Sequence, residues 1–253
     1  MNDFDLARAL RGATVSWAPS TDSTNRWAMD EAGRGAPAHA WYVADEQTAG
    51  RGRLGRAWFS PPGRNLYASC VLRPRLTPAQ APQVALAAAL GARRALAACG
   101  VDAGIKWPND LQVRGRKIAG ILCEVQAEPE RISAVIVGVG INVALTAGEL
   151  GPDLKDIATS LRIEGSAAGR TEVFLALADE MRRAVTVLEN EGFAALRDEW
   201  NAGAVLQGRA VEVVFSGQTR TGTVHGLDDE GFLLLTGPHG VERIVAGDVT
   251  VKK

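Results

Sequence analysis

The run of residues 132–143 constrains the fold of this chain more than any other segment. It reads Ile-Ser-Ala-Val-Ile-Val-Gly-Val-Gly-Ile-Asn-Val, so apolar residues follow one another almost without polar alternation. A strand with this pattern is buried on both of its faces. The chain has 253 residues, enough for one large domain or for a large domain and a small one. We therefore predict a β-sheet that contains this strand as a fully buried member.

Hydrophobic periodicity predicts further strands and helices on either side of this run. Strand patterns occupy residues 14–17, 41–46, 65–72, 104–106, 111–113 and 117–125, and helix patterns occupy 26–32, 82–99, 171–190 and 193–200. From residue 205 the pattern changes to short strands between glycine turns, at 210–215, 220–227, 232–236 and 242–246. The prediction is a larger domain over residues 1–202, followed by a small barrel over residues 203–253.

Composition and charge argue against several classes of protein. The formal net charge is −1, so no overall field draws the chain to nucleic acid or to a membrane. The three cysteines, Cys70, Cys99 and Cys123, are scattered, which disfavours a disulfide framework or a metal cluster and fits a reducing compartment. The amino terminus is acidic and lacks an apolar signal core, and the longest apolar stretch is too short to span a bilayer. These features predict a cytoplasmic protein without a membrane segment.

Residues 50–58 read Gly-Arg-Gly-Arg-Leu-Gly-Arg-Ala-Trp, and we call this segment the Gly/Arg loop. Glycine increases backbone freedom and the three guanidinium groups repel one another, so such a loop is not stable on its own. A bound anion offsets both effects, because backbone N–H groups approach phosphate closely at glycine and arginine donates bidentate hydrogen bonds. Taken alone, the run fits a solvated basic turn and a phosphate-binding loop equally well.

Three other segments carry residues that either bind ligands or serve structural purposes. Lys106 ends a predicted strand just before Pro108, at a position where ligands often lie, although a lone lysine there is more often a surface residue. Residues 22–25, Asp-Ser-Thr-Asn, begin a helix and fit either ligand binding or simple N-capping. Gly138 and Gly140 interrupt the buried strand, which indicates close approach by another backbone or a ligand, or a β-bulge.

Together, and in this order, these segments resemble the biotin protein ligases, also called holocarboxylase synthetases. The matching segments are Asp-Ser-Thr-Asn at 22–25, Gln-Thr-Ala followed by the Gly/Arg loop at 47–58, Ser-Pro at 60–61, Asn-Leu-Tyr at 65–67, Lys-Trp-Pro-Asn-Asp-Leu at 106–111, Arg-Lys-Ile-Ala-Gly-Ile-Leu at 116–122 and Gly-Val-Gly-Ile-Asn at 138–142. The Gly/Arg loop and the Lys-Trp-Pro-Asn-Asp run are highly specific as a pair. The resemblance is strong over residues 20–143, weaker over 144–202, and rests over 203–253 on the expected barrel.

The resemblance implies an α+β fold, in which helices pack on a mixed β-sheet of the kind found in class II aminoacyl-tRNA synthetases and in biotin and lipoate ligases. An SH3-like β-barrel is expected to follow. The implied enzyme joins biotin to ATP, which gives biotinyl-5′-AMP and pyrophosphate, and then transfers biotin to one lysine of a biotin carboxyl carrier protein. Attack of a carboxylate on the α-phosphorus brings anions together, so cations aimed at the developing charge suit this chemistry.

By the same resemblance, the motifs supply residues for each ligand. The predicted catalytic residues are Lys106, between the biotin carboxylate and the α-phosphate, and Arg51 and Arg53, at the acyl-phosphate linkage. The residues expected to bind biotin are Ser23, Thr24, Asn25, Gln47, Arg51, Gly52, Arg53, Lys106, Gly120 and Leu122. Those expected to bind ATP or the adenylate are Arg53, Arg56, Trp58, Lys106, Asn109 and Asn142. Mg²⁺ is expected to screen the phosphates, with Asp110 as a nearby carboxylate.

The resemblance also bears on partners. Some family members carry an N-terminal helix-turn-helix repressor domain, but only about 20 residues precede the Asp-Ser-Thr-Asn motif here. We therefore expect a ligase that acts on a carrier protein and binds no specific DNA. The sequence leaves open whether it is a monomer or a homodimer.

Three alternatives remain at this point. The closest is a lipoate or octanoate protein ligase or transferase of the same fold, against which the Gly/Arg loop and Trp107 favour biotin. An RNA-binding module would need exposed aromatic residues on which bases stack, but aromatic residues make up 6% of the chain. A catalytically inactive scaffold is disfavoured because every motif position is present.

Overall fold

The apolar run at residues 132–143 forms the central strand of a seven-stranded sheet. The structure, a computed structural model, describes residues 4–215, 217–237 and 240–251, so the first three residues of the acidic amino terminus lie outside it. The strands of this sheet are β1 (Thr14–Ala18), β2 (Ala40–Ala44), β3 (Leu66–Leu72), β4 (Gly104–Lys106), β5 (Asp110–Val113), β6 (Arg116–Ala127) and β7 (Ile132–Ile141). Their order is β1-β2-β3-β7-β6-β5-β4, with β1 and β2 parallel and the other neighbouring pairs antiparallel. The predicted mixed sheet is confirmed.

Helices cover both faces of this sheet, as the apolar pattern of β7 requires. The helices are α1 (Leu6–Leu10), α2 (Thr24–Gly33), α3 (Ala81–Ala98), α4 (Arg170–Glu191) and α5 (Ala194–Ala202). Ile136 of β7 packs in a core beneath α2, whereas its neighbour Val137 enters the core beneath α3 and α4. α3 and α4 approach closely at Gly91, where an added Cβ atom would lie 2.7 Å from the Cα of Met181. Alternate residues of one strand thus enter two separate cores.

The elements agree with the sequence patterns to within a few residues. The hairpin between β5 and β6 turns at Arg114 and Gly115, whose φ angles of 50° and 80° suit a two-residue turn. α3 is followed by Gly100, whose φ of 81° lies in the left-handed region favoured at helix ends. The pattern missed α1 because five residues are too few to show a helical period. Among the described helices, none has the length and apolarity that a bilayer crossing requires.

A second, five-stranded antiparallel sheet follows α5. Its strands are β8 (Ala210–Phe215), β9 (Gln218–Leu227), β10 (Leu233–Gly237), β11 (Gly240–Ile244) and β12 (Asp248–Val251), in the order β11-β10-β9-β8-β12. The pattern predicted the first four and missed β12, a four-residue strand near the chain end. Asn201 of α5 joins the two parts, because its side chain bonds both the N–H and the carbonyl of Leu227. The division into domains at residue 202 stays a prediction.

Candidate active site

A pocket opens on the α2 face of the first sheet, where β6 and β7 present glycines at the centre of the sheet. One row across the sheet consists of direct cross-strand partners that all line this pocket: Tyr67, Gly140, Gly120, Asp110 and Lys106. Directly paired residues project from the same face of a sheet. The row therefore places a lysine and a carboxylate beside a floor made of glycine.

Gly138 and Gly140 make room for two side chains that lie against the sheet. An added Cβ on Gly138 would lie 2.0 Å from Asn25 Oδ1, and one on Gly140 would lie 2.5 Å from the Trp58 ring. Gly120 faces the same ring, at 3.0 Å from its added Cβ. The pairing of β7 with both neighbours is regular at these glycines, which excludes a bulge there. The glycines therefore mark a close approach, but by side chains of the protein and not by another backbone.

The start of α2 forms a hydrogen-bonded cluster at one end of the pocket. Ser23 occupies the N-cap position, but its side chain makes no capping hydrogen bond. Instead, the Oε1 atom of Gln47 accepts from the backbone N–H of Thr24 at 2.9 Å and from its hydroxyl at 3.1 Å. The hydroxyl of Ser69 donates to Asn25 Oδ1 at 2.7 Å. Because Ser23, Thr24 and Asn25 are buried and line the pocket, this cluster is more than a helix cap.

The Gly/Arg loop lies at the pocket and folds back on itself. The N–H of Gly52 donates to the carbonyl of Arg56 at 2.7 Å, and the N–H of Trp58 donates to the carbonyl of Gly50 at 2.9 Å. The Gly/Arg loop turns at Leu54, whose φ is 56° and whose side chain is 74% exposed. A non-glycine residue with positive φ at an exposed apolar tip is an unusual choice for a purely structural turn.

Each arginine of the Gly/Arg loop has a partner on another element. Arg51 Nη2 lies 3.2 Å from the Glu124 carboxylate on β6. Arg53 donates to Asn109 Oδ1 at 3.2 Å and to the carbonyl of Gly247 at 3.3 Å. Arg56 forms an ion pair with Asp248, to which Arg53 also comes within 3.7 Å. The Gly/Arg loop is therefore held both by the first sheet and by the carboxyl-terminal sheet.

The two lysines of the pocket differ in their surroundings. Lys117 Nζ lies 2.6 Å from Asp110 Oδ1 and 5.1 Å from the centroid of the Trp58 ring. Lys106, by contrast, has no ion pair within the part of the chain that the structure describes. The described lining contains three arginines and two lysines against two carboxylates, Asp110 and Asp248. This excess of positive charge suits an anionic ligand.

Apolar side chains line the opposite end of the pocket: Leu145, Leu150, Leu154, Ile157 and Ala158. The loop that carries them is fastened to the sheet. The N–H of Lys117 donates to the carbonyl of Ile157 at 2.7 Å, and Asn142 Nδ2 donates to the carbonyl of Thr159 at 2.9 Å. One pocket thus joins a neutral polar end, a cationic middle and an apolar end.

Comparison with known proteins identifies this arrangement. The model of the biotin/lipoate A/B protein ligase family matches residues 17–142, and that of the biotin protein ligase C-terminal domain matches residues 207–252. The bifunctional ligase/repressor BirA of Bacillus spizizenii is 35% identical over 248 residues, which cover 97% of this chain and 76% of that protein. The chain belongs to the biotin protein ligase family. The biotin–[acetyl-CoA-carboxylase] ligase of Paracoccus denitrificans is 38% identical over 90% of this chain and 97% of its own length.

A solved structure supports the same assignment. The biotin protein ligase of Aquifex aeolicus, in complex with biotin and ATP, is 28% identical and superposes with a TM-score of 0.81. The superposition covers 95% of this chain and 99% of that one. The predicted enzyme class and the predicted fold, a mixed sheet with helices followed by an SH3-like unit, are confirmed.

All the residues predicted to bind ligands in this biotin protein ligase line the one pocket. Their individual roles stay predictions. The three asparagines among them are already engaged within the protein, because each donates its Nδ2 to a carbonyl oxygen of β6. The pairs are Asn25 with Leu122 (3.2 Å), Asn109 with Ile121 (2.7 Å) and Asn142 with Lys117 (3.4 Å).

Sequence reasoning missed three residues that line this ligase pocket or contact its lining. Lys117 belongs to a segment that matches the family, at the start of a predicted strand. Its charge could have indicated a ligand contact, but no function was assigned to it. Glu124 lies two positions after Leu122, on the same face of β6. The residues that it meets there can be identified only when the pairing of the strands is known. The sequence contains no signal for Asp248, because nothing in it connects β12 with the Gly/Arg loop.

Other titratable groups near the sheet are unsuited to nucleophilic roles. Burial raises the pKa of Cys123 to about 12 and also raises the pKa of Cys70, so both thiols stay protonated. Burial likewise raises the pKa of Tyr67, whose hydroxyl donates to the carbonyl of Pro61 at 3.0 Å. No cluster of three or more metal-ligating side chains occurs in residues 4–215, 217–237 and 240–251.

Proposed function

We propose that this biotin protein ligase forms biotinyl-5′-AMP from biotin and ATP and transfers the biotinyl group to a lysine of a biotin carboxyl carrier protein. The observation that carries the proposal is the order of environments along one pocket. The neutral polar end, the cationic middle and the apolar end suit a ureido ring, an acyl phosphate and an adenine, in that sequence.

The neutral end suits the ureido ring because a buried polar ring needs a partner for each of its polar atoms. Ser23 has a hydroxyl that makes no hydrogen bond to another described residue. Gln47 uses one amide hydrogen on Ser60 Oγ at 3.0 Å, and its second amide hydrogen is available. Uncharged groups of this kind match a neutral ring without the cost of burying an unpaired charge.

The cationic middle suits both chemical steps. In the first, a carboxylate oxygen of biotin attacks the α-phosphorus, the bond from the α-phosphorus to the bridging oxygen breaks, and pyrophosphate leaves. In the second, the amine of the carrier lysine attacks the acyl carbon, the bond from that carbon to the oxygen bridging it to phosphorus breaks, AMP leaves with the bridging oxygen, and the amine proton goes to solvent. Negative charge develops at the α-phosphate and at the acyl oxygen, so Lys106, Arg51 and Arg53 are proposed to stabilise it. We add Lys117 to this set because its ammonium group lies in the same pocket.

The apolar end is proposed to bind adenine between Trp58, Arg56 and the aliphatic side chains of residues 145–158. Mg²⁺ fits a site with few protein ligands, because it keeps several waters and is usually held by one or two carboxylates and by substrate phosphates. Asp110 is the carboxylate proposed to assist, and when bound the ion would screen phosphate charge.

Biotinylation of a carrier domain tests the proposal directly. The 253-residue chain is incubated with ATP, Mg²⁺, a carrier domain and either biotin or lipoate, and the mass of the carrier is measured. Addition of one biotinyl group that requires ATP supports the proposal. A preference for lipoate or octanoate would instead support the alternative ligase of the same fold. We expect biotin to be transferred in preference to lipoate, because lipoate would leave the buried polar groups of the pocket unpaired.

The absence of repressor activity also belongs to this proposal. The chain as a whole has a net charge of −1, so no overall field favours its binding to duplex DNA. A duplex-binding assay with a mixed pool of DNA sequences at about 0.1 M salt checks this expectation. Sequence-specific retention of DNA would contradict it.

A further inference from the structure

Glu124 lies beside the pocket and contacts two residues of its lining, Asn25 of the polar cluster of α2 and Arg51 of the Gly/Arg loop. It follows Leu122 on β6, and its direct cross-strand partner on β7 is Ile136, which is buried beneath α2. Glu124 therefore lies where the open floor of the pocket ends and the helix-covered part of the sheet begins. Its side chain is 29% exposed, so it is neither a core residue nor a free surface carboxylate.

The carboxylate of Glu124 joins two elements that the proposed reaction uses at opposite ends of biotin. Asn25 Nδ2 donates to Glu124 Oε2 at 2.7 Å. Arg51 Nη2 lies 3.2 Å from the same oxygen and also 3.2 Å from Oε1. One carboxylate thus holds the start of α2 and the first arginine of the Gly/Arg loop together.

The missing side chain at Gly138 makes this connection possible. Because no Cβ atom is present there, the Asn25 amide can lie against the sheet and reach β6. Its Oδ1 atom accepts from Ser69, which leaves the amide hydrogens for Leu122 and Glu124. Asn25 is therefore fixed on both sides, and its position in turn fixes Glu124.

We infer that Glu124 is a positioning residue that acts through Arg51 and couples the ring-binding cluster of α2 to the position of the Gly/Arg loop. The inference rests on the proposed function, in which Arg51 meets the acyl phosphate. Arg51 repels Arg53 and Arg56 within a glycine-rich loop, so without a counter-charge its guanidinium would sample many positions. Glu124 holds it beside the pocket before the substrates arrive, which lowers the entropy lost on reaching the reactive arrangement.

The test is a double-mutant cycle on adenylate formation, measured as biotin-dependent release of pyrophosphate. Glu124→Gln keeps the shape and an acceptor for Asn25 but removes the charge that holds Arg51. We expect kcat/KM for biotin to fall about 10- to 100-fold. In an Arg51→Ala background, the same substitution should change kcat/KM by less than about twofold, because its route of action is already removed.

Two further measurements separate positioning from stability. Amide exchange of residues 50–56 without ligand should be faster in Glu124→Gln than in the wild type. Glu128→Gln, which removes an exposed carboxylate paired with Arg131 outside the pocket, should leave both exchange and activity unchanged. Any loss of stability in Glu124→Gln would act equally in both backgrounds of the cycle and would appear as an additive effect.

The outcomes distinguish the two proposals. An active wild type with additive effects of Glu124→Gln and Arg51→Ala overturns the positioning role and leaves the proposed function in place. A wild type that releases no pyrophosphate with biotin overturns the proposed function and the positioning role with it. Non-additive effects with faster loop exchange support both.

Discussion

The cations of the pocket are not equivalent, although they lie within one cleft. Lys117, Arg51 and Arg56 each have a carboxylate partner, at Asp110, Glu124 and Asp248 respectively. A phosphate that binds these groups must displace or share a partner. Lys106 has no such partner among the described residues, so its charge is fully available to a ligand. This difference makes Lys106 the residue whose removal should cost most.

Lys106→Ala should reduce biotinyl-AMP formation about 10²- to 10³-fold, the usual loss when one group aimed at developing charge is removed. Pyrophosphate release and circular dichroism together check that activity falls while the fold persists. Lys155→Ala, which removes an exposed lysine that does not line the pocket, is the matched control. Normal turnover in Lys106→Ala would refute the assigned role.

Arg53→Gly should loosen retention of the adenylate. Arg53 donates hydrogen bonds to Asn109 and to the carbonyl of Gly247, so its loss removes a cation and also two contacts that hold the Gly/Arg loop in place. Released biotinyl-AMP would then label lysines of unrelated proteins. Streptavidin blotting of a protein mixture measures this labelling, and selectivity equal to that of the wild type would count against the prediction.

At the scale of elements, β7 performs two tasks with one alternating pattern. Its residues on one face pack beneath α3 and α4, while on the other face two glycines open the floor of the pocket. The sequence showed the glycines, but the side chains that use the space come from residues 25 and 58. A glycine-containing strand can form the bottom of a binding site only where side chains from other elements enclose the space above it.

Gly138→Ala should displace Asn25, because the added Cβ would lie 2.0 Å from its Oδ1 atom. We expect a loss of about 1–3 kcal/mol in the free energy of unfolding, as for other overpacked sites, together with weaker biotin binding. Thermal unfolding and isothermal titration measure the two effects. Gly148→Ala, where an added Cβ has open space, should change neither. Unaltered biotin affinity in Gly138→Ala would show that the Asn25 position does not matter.

The Gly/Arg loop should gain protection when the adenylate binds. Its few internal hydrogen bonds and its exposed tip at Leu54 are features of a segment that opens easily. Amide exchange of residues 50–56 with and without biotin plus ATP measures this, and equal protection in both states would contradict it.

At the scale of the whole molecule, the carboxyl-terminal sheet is part of the pocket. Asp248, at the start of β12, forms an ion pair with Arg56 and lies near Arg53. The two sheets also share a continuous apolar core. The second sheet therefore anchors the Gly/Arg loop over the site, a role that its own sequence does not indicate.

Asp248→Asn should raise the KM for ATP about 1.4- to 5-fold, since a partly exposed ion pair such as that with Arg56 contributes about 0.2–1 kcal/mol. Steady-state kinetics with ATP as the varied substrate measure the change. Asp229→Asn, which removes an exposed carboxylate paired with Arg197, is the matched control. A lower KM for ATP would mean that Asp248 competes with the phosphates and does not anchor the loop.

The sequence by itself determined the buried strand, the order of most elements, the enzyme family and many of the polar residues that meet in the pocket. It could do so because burial on both faces leaves an apolar run, and because the motifs carry the chemical groups that the ligands require. Only the tertiary structure decided how those groups are paired. Glu124 and Asp248 reach Arg51 and Arg56 across 73 and 192 positions of chain, and the asparagines of the motifs use their amide hydrogens on β6. Such pairings depend on strand register and on the packing of one sheet against the other, since interaction between charges and dipoles falls off over a few ångströms and leaves no periodic trace along the chain.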